Sequence, residues 1–458
     1  METAQAFDQI SAREQGLQRR LTAGQMGMIA IGGAIGTGLF LGSKFAIGFA
    51  GPSVIMSYAI GGVIALLLMG CLAEMTVAHS TSGSFGAYAE HYISPLAGFL
   101  VRYAYWASIV LAVGAEVTAV AQYMTYWFAD VPGWLWVVLF SGALIFVNAM
   151  SVKTFGTVEY WFSTIKVSAI IAFIVLGAYV VWGEPQYGAQ HYTAHGGFFP
   201  NGAWGMWVAV IISIFSYLSI EMIAVAAGEA ENPEAAVKKA FRATVARLVL
   251  FYLLTLSLIV TIVPWNQIGD GDSPFVTVMQ SVNIPFAAGV INFVVLVAAL
   301  SAMNSMLYIT TRMMFSLSRA GHAPKALGKL SRRGTPLNAL ALSSSGVAVA
   351  AVLKVLYPND SFTLMMAISM FGAMFTWMMI FVTHWFFRRA WERAGKPRLS
   401  FRMAGFPVLT LLGAAAMLAI MITTWLTDVF KMTLVFGVPF LLLLALWYRL
   451  AFRNKAGA

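Results

Sequence analysis

One lysine lies where a lysine is hard to keep. In "WFSTIKVSAII", Lys166 sits inside a long apolar run, with no acid within one helical turn and about eight residues between it and the nearer end of the run. Its ammonium is too deep to snorkel out to water. A charge at such depth is costly and marks function by default. A buried lysine can bind and release a proton as its access to water alternates, so proton coupling is the chemistry it offers; a fixed structural charge is the plainer reading. Three acids lie in comparable runs. Glu116, in "LAVGAEVTAVAQY", is placed to face a cavity or pair with a base. Glu221, closing "SYLSIE", could gate, carry a proton or satisfy polar neighbours. Glu74, in "CLAEMTVAH", lies near the end of its run, where pairing with an arginine is expected. Asn304 and Ser305 suit interhelical hydrogen bonds or packing.

A second pattern is glycine. "MIAIGGAIGTGLFLG", residues 28–42, carries Gly32, Gly33, Gly36, Gly38 and Gly42, each weakening a helix by about 1 kcal/mol relative to alanine. A phosphate-cradling loop is excluded, because no Lys-Ser/Thr follows and no strand precedes. Two readings remain. Gly32/Gly36 and Gly38/Gly42 have GxxxG spacing and could let helices pack closely. Alternatively, Gly36-Thr37-Gly38 is unwound at mid-depth, its free N–H groups and the following half-helix N-terminus facing an anion. Unpaired backbone there must be buried in protein or line a cavity. Both can hold for different glycines: Gly36 and Gly38 are expected to free backbone, Gly32 and Gly42 to let helices close.

The elements that must carry these residues follow from composition. Sixty per cent of the 458 residues are apolar and 10% are charged, too few charges to cover a soluble chain of this length. The chain reads as an all-α, polytopic integral membrane protein. The lone Cys71 excludes a disulfide framework or cysteine cluster, and six scattered histidines leave no zinc-ligand pair on one helix. The polar first twenty residues show no signal-peptide pattern, so the first apolar segment reads as a retained span.

Apolar runs of about 20 residues place twelve spans near 24–46, 51–78, 97–128, 133–151, 158–182, 204–228, 241–264, 285–317, 337–357, 362–388, 403–427 and 432–452. With both termini in the cytoplasm, only Lys44, Lys354 and Lys431 of the 28 lysines and arginines fall outside. That asymmetry is the positive-inside rule, and it explains the net charge of +10 as topology rather than as a nucleic-acid surface. The third and eighth spans stand out as long. The first and sixth each hold an interruption, the glycine run and "SYLSIE" (216–221), about 180 residues apart. Spans 1–5 and 6–10 therefore form a weak repeat. Five is odd, so the second copy is inverted, and matched broken helices in an inverted repeat point to a secondary transporter with its site at the breaks. The resulting divisions are a cytoplasmic N-terminal tail (1–21), a first five-helix repeat (22–182), a second inverted repeat (204–388), helices 11 and 12 (403–452) and a cytoplasmic C-terminal tail (453–458). In "GEAENPEAAVKKAFR", Pro233 is expected to open a short surface helix with acids before bases.

"MIAIGGAIGTGLFLGS", "VEYWFSTIKVSAI", "FSYLSIEMIAVAAGEAENPEAAVKKA" and "LSAMNSMLYITTRMMFSLSRAGHAPK" together resemble the bacterial amino acid permeases of the amino acid–polyamine–organocation (APC) superfamily, in the family's order from about residue 20 to beyond 450. The resemblance implies a LeuT-like 5+5 inverted repeat with broken helices 1 and 6, two further C-terminal helices, and proton-driven import of an amino acid. By it, Gly36, Thr37 and Gly38 would meet the substrate carboxylate. Carbonyls near Ala34, Phe215 and Leu218 would meet its ammonium, with Ser216 beside them at the second break. Phe215 would cover the substrate, whereas Tyr217 is as readily a packed aromatic. Lys166 would stand where sodium-coupled relatives of the fold hold a cation. Glu221 and Glu74 match acids common in the family, and some aromatic and neutral amino acid permeases share an acid at Glu116.

The expected function is proton symport of an L-amino acid, taken as neutral because the break motifs add small or apolar side chains plus one acid. An exchanger, or a carrier of a cationic amino acid through Glu116 or Glu221, is the alternative. No polar catalytic cluster points to an enzyme. A channel would not need two matched breaks, and neither tail is long enough for a sensor's output domain. No cofactor is expected beyond the proton gradient. The partners are the amino acid and the bilayer, with no nucleic acid and a monomer sufficing, in a bacterial inner membrane.

Overall fold

The computed structural model describes residues 2–32, 35–268, 273–282, 286–357 and 360–452. In its first half, helix α1 is Glu2–Arg13, α2 Ala23–Gly32, α3 Thr37–Phe40, α4 Gly42–Ala50, α5 Val54–Ala78, α6 Ser84–Tyr92, α7 Pro95–Met124, α8 Gly133–Met150 and α9 Val152–Gly183. Then follow α10 Gly202–Tyr217, α11 Met222–Ala226, α12 Pro233–Arg247, α13 Thr255–Ile262, α14 Pro274–Ser281 and α15 Ala287–Arg319. The last are α16 Leu337–Ser343, α17 Ser345–Leu356, α18 Ser361–Arg393, α19 Val408–Trp425 and α20 Lys431–Ala451. Among the described residues the only strand-like pairing is one isolated bridge, Leu21 to Ala230.

Ten helical stretches among the described residues are long and apolar enough to cross a membrane. The expected segments 24–46 and 241–264 do not stand among them as whole helices. The first is split into α2, α3 and α4, and α4 continues through a single turn at Gly51–Ser53 into α5. The second is split because α12 passes into a π-helical stretch, Leu248–Leu254, before α13. Length does not single out the third and eighth spans either. Helices α7 and α15 have 30 and 33 residues, but α9 and α18 have 32 and 33.

The core sits around the stretch Gly202–Glu229, whose apolar window is wholly enclosed by protein, whereas those of α8 and Asp428–Ala451 are only 22% enclosed. Helix α10 packs on α4 and α5, α2 on α9, and α7 against both α15 and α18. Outward faces carry bare Trp182, Leu442, Leu443 and Leu450, an arrangement suited to lipid rather than water as solvent. Polar groups at mid-depth must therefore find partners inside the bundle.

The polar first stretch is docked rather than loose. Phe7 and Ile10 of α1 are buried, and Phe7 stacks on His79 with centroids 3.9 Å apart. Buried Glu14 accepts hydrogen bonds from the Thr81 hydroxyl at 2.5 Å, the Gly83 N–H at 2.7 Å and the Ser316 hydroxyl at 2.5 Å. Leu21 then pairs with the chain after α11, giving its N–H to the Glu229 carbonyl at 3.1 Å and accepting from the Glu231 N–H at 3.2 Å. Residues 453–458, the expected C-terminal tail, lie outside the described residues.

Candidate functional site

Helix α2 stops at Gly32 and helix resumes at Thr37, with Gly36 extended at φ −134°, ψ −153°. Carbonyls at the C-terminal end of a helix carry the negative pole of its dipole and lack intrahelical donors. Here the Lys166 ammonium supplies them, donating to the carbonyls of Gly32 and Ile35, the latter at 3.1 Å. It also donates to the Ser301 hydroxyl of α15 at 2.7 Å. The lysine is completely buried and ties α2, α9 and α15 together.

Beside it lies Glu159, a residue absent from the sequence expectations. Its Oε1 is 4.0 Å from Lys166 Nζ and accepts from the hydroxyls of Ser301 and, at 3.3 Å, Ser163. Its Oε2 accepts from Asn304 Nδ2 at 3.1 Å, and Asn304 Oδ1 accepts from Asn148 Nδ2 at 2.8 Å. The signal that finds Glu159 is its seven-residue spacing from Lys166, which returns to the same helix face after two turns. A one-turn window stops short of it. Of the two readings open for Asn304, interhelical hydrogen bonding is the one observed, not plain packing.

On the other side of the break, Thr37 gives its N–H to Glu116 Oε2 at 3.3 Å and its hydroxyl to Oε1 at 2.9 Å. Glu116 thus faces the first interruption from α7. A Cβ on Gly36 would lie 2.6 Å from Ala302 Cβ and 2.9 Å from Glu116 Oε1. A Cβ on Gly38 would lie 2.5 Å from Ser216 Cα and 3.2 Å from the Phe215 carbonyl oxygen. At Gly38, therefore, the half-helix that follows the first interruption touches the backbone of the last turn of α10, just before the second. Gly32 is equally crowded, since a Cβ there would fall 2.0 Å from Ser163 Oγ. Gly42 is not: its Cβ would meet Ile212 at an ordinary 3.6 Å. Close packing accordingly accounts for Gly32, Gly36 and Gly38, and the expectation that Gly42 serves it is corrected.

The second interruption begins after Tyr217. Leu218 is extended at φ −56°, ψ 154°, and Ser219 takes φ +71°, a left-handed conformation uncommon for a residue with a Cβ. Glu221 holds this shape. Its Oε1 accepts from the Ser219 N–H at 3.2 Å and the Tyr105 hydroxyl at 2.5 Å, and its Oε2 from Trp377 Nε1 at 3.1 Å. One carboxylate so staples the break to α7 and α18. The Ser216 hydroxyl donates to the Ile212 carbonyl at 3.1 Å and shares a 2.9 Å hydrogen bond with Tyr58. The Phe215 ring meets Phe362 edge-on at 6.4 Å, and Phe362 stacks on Phe45 at 6.2 Å. Tyr217 is packed against Tyr58 and Tyr252.

Of the residues expected to bind substrate, Gly36, Thr37, Gly38, Phe215 and Ser216 converge where the interruptions meet, and Leu218 is buried within the second. Ala34, with Gly33, lies outside the described residues. Lys166 lies against the first break, Glu116 on its opposite side, and Glu221 at the second. Nearer the helix ends, Glu74 accepts from Arg388, from His384 Nε2 at 3.1 Å and from the Met403 N–H at 2.8 Å, the arginine pairing its position implied. Glu229 binds Arg312 Nε at 2.8 Å and the Tyr308 hydroxyl at 2.6 Å. Pro233 does open a helix, and Glu234 pairs with Lys238 at 2.6 Å, but the helix runs on into the π-helical stretch instead of ending at the surface.

Comparison with known proteins matches residues 25–457 to the family model described as amino acid permease. The uncharacterized amino acid permease YtnA of Bacillus subtilis (strain 168) is 37% identical over 452 residues, covering 97% of this chain and 98% of that protein. The aromatic amino acid transport protein AroP of Escherichia coli (strain K12) is 38% identical over 415 residues, covering 89% and 90%. The gamma-aminobutyric acid permease of Bacillus subtilis (strain 168) is 38% identical over 415 residues, covering 90% and 88%.

Proposed function

The chain belongs to the amino acid permease family of the APC superfamily, and from that premise we propose that it imports a neutral L-amino acid by proton symport with alternating access. It is a multi-pass membrane protein and its family is one of transporters, not enzymes. In the proposed architecture the interrupted segments 24–46 and 241–264 also cross, giving twelve spans with both termini inside a bacterial inner membrane. The first ten form a LeuT-like inverted repeat.

The observation that carries the coupling is the buried Lys166 ammonium on the carbonyls of Gly32 and Ile35. With its proton the lysine holds the end of α2. Without it, those carbonyls lose a charged donor, and charge-assisted hydrogen bonds are worth roughly 1.5–3 kcal/mol. Protonation is thus linked to the position of a helix that borders the substrate. The substrate carboxylate is assigned to Gly36, Thr37 and Gly38, its ammonium to carbonyls of Ala34, Phe215 and Leu218, with Ser216 in the supporting shell and Phe215 as the covering aromatic. A neutral side chain is favoured because the two acids that would receive a cationic one are already engaged: Glu116 by Thr37, and Glu221 by Tyr105, Trp377 and Ser219. The transport of aromatic amino acids and gamma-aminobutyric acid by relatives is consistent with this preference.

The test is uptake into proteoliposomes empty of amino acid, under a pH gradient acid outside. Accumulation is expected in the wild type and not in Lys166→Ala or Lys166→Gln. Uptake only when amino acid is preloaded would mean an exchanger. Competition by all twenty amino acids ranks the substrates, and a preference for arginine or lysine would overturn the neutral assignment.

A further inference from the structure

The assigned direction of the hydrogen bonds around Lys166 makes a chain. Lys166 Nζ donates to Ser301 Oγ at 2.7 Å, and the Ser301 hydroxyl donates to Glu159 Oε1. All three side chains are completely buried. Hydroxyls can pass a proton on while receiving another, whereas a direct transfer from lysine to carboxylate across 4.0 Å is too long for a hydrogen bond. We propose that Glu159 is the acceptor for the Lys166 proton, reached through the Ser301 hydroxyl. This rests on the reading of Lys166 as the coupling residue.

The step balances without any further reactant. One N–H bond of the ammonium breaks as its proton joins Ser301 Oγ, and the original Ser301 proton moves to Glu159 Oε1. An ammonium and a carboxylate become an amine and a carboxylic acid, with serine unchanged. Both hydrogen bonds survive with their polarity reversed: the acid now donates to Ser301, and Ser301 to the amine. Two buried charges vanish together, so neither is left uncompensated, which is the costly outcome for a buried pair. Asn304, itself held by Asn148, fixes Oε2 and leaves Oε1 turned to the serine. Facing Lys166 from the other elements are the Gly32 carbonyl at the end of α2, the Ile35 carbonyl in the interruption and, from α7, Glu116, which feels the lysine's charge. Of the two acids Glu116 and Glu159, it is Glu159 that is linked to the lysine through the Ser301 hydroxyl. Glu159 is also seven residues nearer the start of α9, roughly 10 Å along the helix. On the proposed topology that start is the cytoplasmic end, so the proton would leave on the inner side by way of α9 and α15, apart from the interruptions the substrate passes.

The experiment uses the full-length protein in proteoliposomes with an equimolar mixture of the twenty radiolabelled L-amino acids. It compares accumulation driven by a pH gradient with counterflow at equal pH, which needs no net proton transfer. In Ser301→Ala and Glu159→Gln the ratio of accumulation to counterflow is expected to fall at least about tenfold, and Ser301→Thr, which keeps the hydroxyl, should restore it. A ratio within about twofold of wild type in both variants would overturn the relay, as would parallel loss of both activities in all three, since a structural role removes them together. Lys166→Ala separates this from the parent reading. If it retains accumulation, Lys166 is not the coupling residue. If it alone loses accumulation, only the relay fails.

Discussion

At the scale of single residues, glycines that look alike in sequence do different work. An alanine Cβ at position 38 would stand 2.5 Å from the Ser216 Cα, a backbone atom that cannot swing aside, whereas at 42 it finds ordinary contact. Gly38→Ala is therefore expected to cost about 1–3 kcal/mol through overpacking and to abolish substrate binding. Gly42→Ala should leave the detergent-solubilised protein's thermal midpoint near that of wild type. Equal midpoints for the two variants would contradict this geometry. The sequence made the interruption legible, because five glycines in an apolar run conflict with a regular span. It did not separate the roles of the glycines, because that depends on which backbone lies opposite. Lys166 was legible as a buried charge for the same reason. Glu159 was not, because its partner is two turns away and the bond between them runs through Ser301, about 140 residues further along.

At the scale of elements, the helices around the proposed cytoplasmic ends are held by groups that acid would disturb. Burial first, then His91 and Lys396, pushes the His79 imidazole from 6.5 down to about 3; burial and Arg102 bring His322 to about 4. Burial would raise the Glu90 carboxyl, but Arg102 and Arg13 hold it down at about 2. In each case the unfolded chain takes up protons first as pH falls. The histidines contribute stability that is complete above pH 6.5 and is lost toward pH 3–4, while Glu90's contribution persists above 4.5 and is lost toward 2. Thermal midpoints should thus decline from about pH 6.5 downward, and His79→Phe, which keeps the stack on Phe7, should make the decline shallower. An unchanged slope would remove His79 from the account. Glu14→Ala is expected to cost about 1–3 kcal/mol by leaving the Gly83 N–H and two hydroxyls without their acceptor. Nothing in the polar stretch 1–21 announced that docking, since Glu14's partners come from loops and helices far along the chain. The long helices were legible from apolar length. The split of 241–264 was not, because an uninterrupted apolar run has the same composition whether wound as α or π.

At the scale of the whole molecule, the charge asymmetry makes a topological claim that labelling can check. Cys71 is completely buried and should not react in intact cells, so single introduced cysteines will report alone. Gln186→Cys, in an exposed loop, should be modified by a membrane-impermeant maleimide from outside, and Lys329→Cys only after permeabilisation; the reverse pattern would invert the proposed orientation. The contact of Gly38 with Ser216 has a bearing on how such a protein can diversify. The half-helix after the first interruption and the last turn of α10 before the second meet there with no side chain between them. A mutation at 38 has no tolerable intermediate, since any Cβ strikes main chain. New substrate preferences must then arise by changing the surrounding walls, at positions such as Phe215, Ala302 or Phe362, while the point of contact is inherited unaltered.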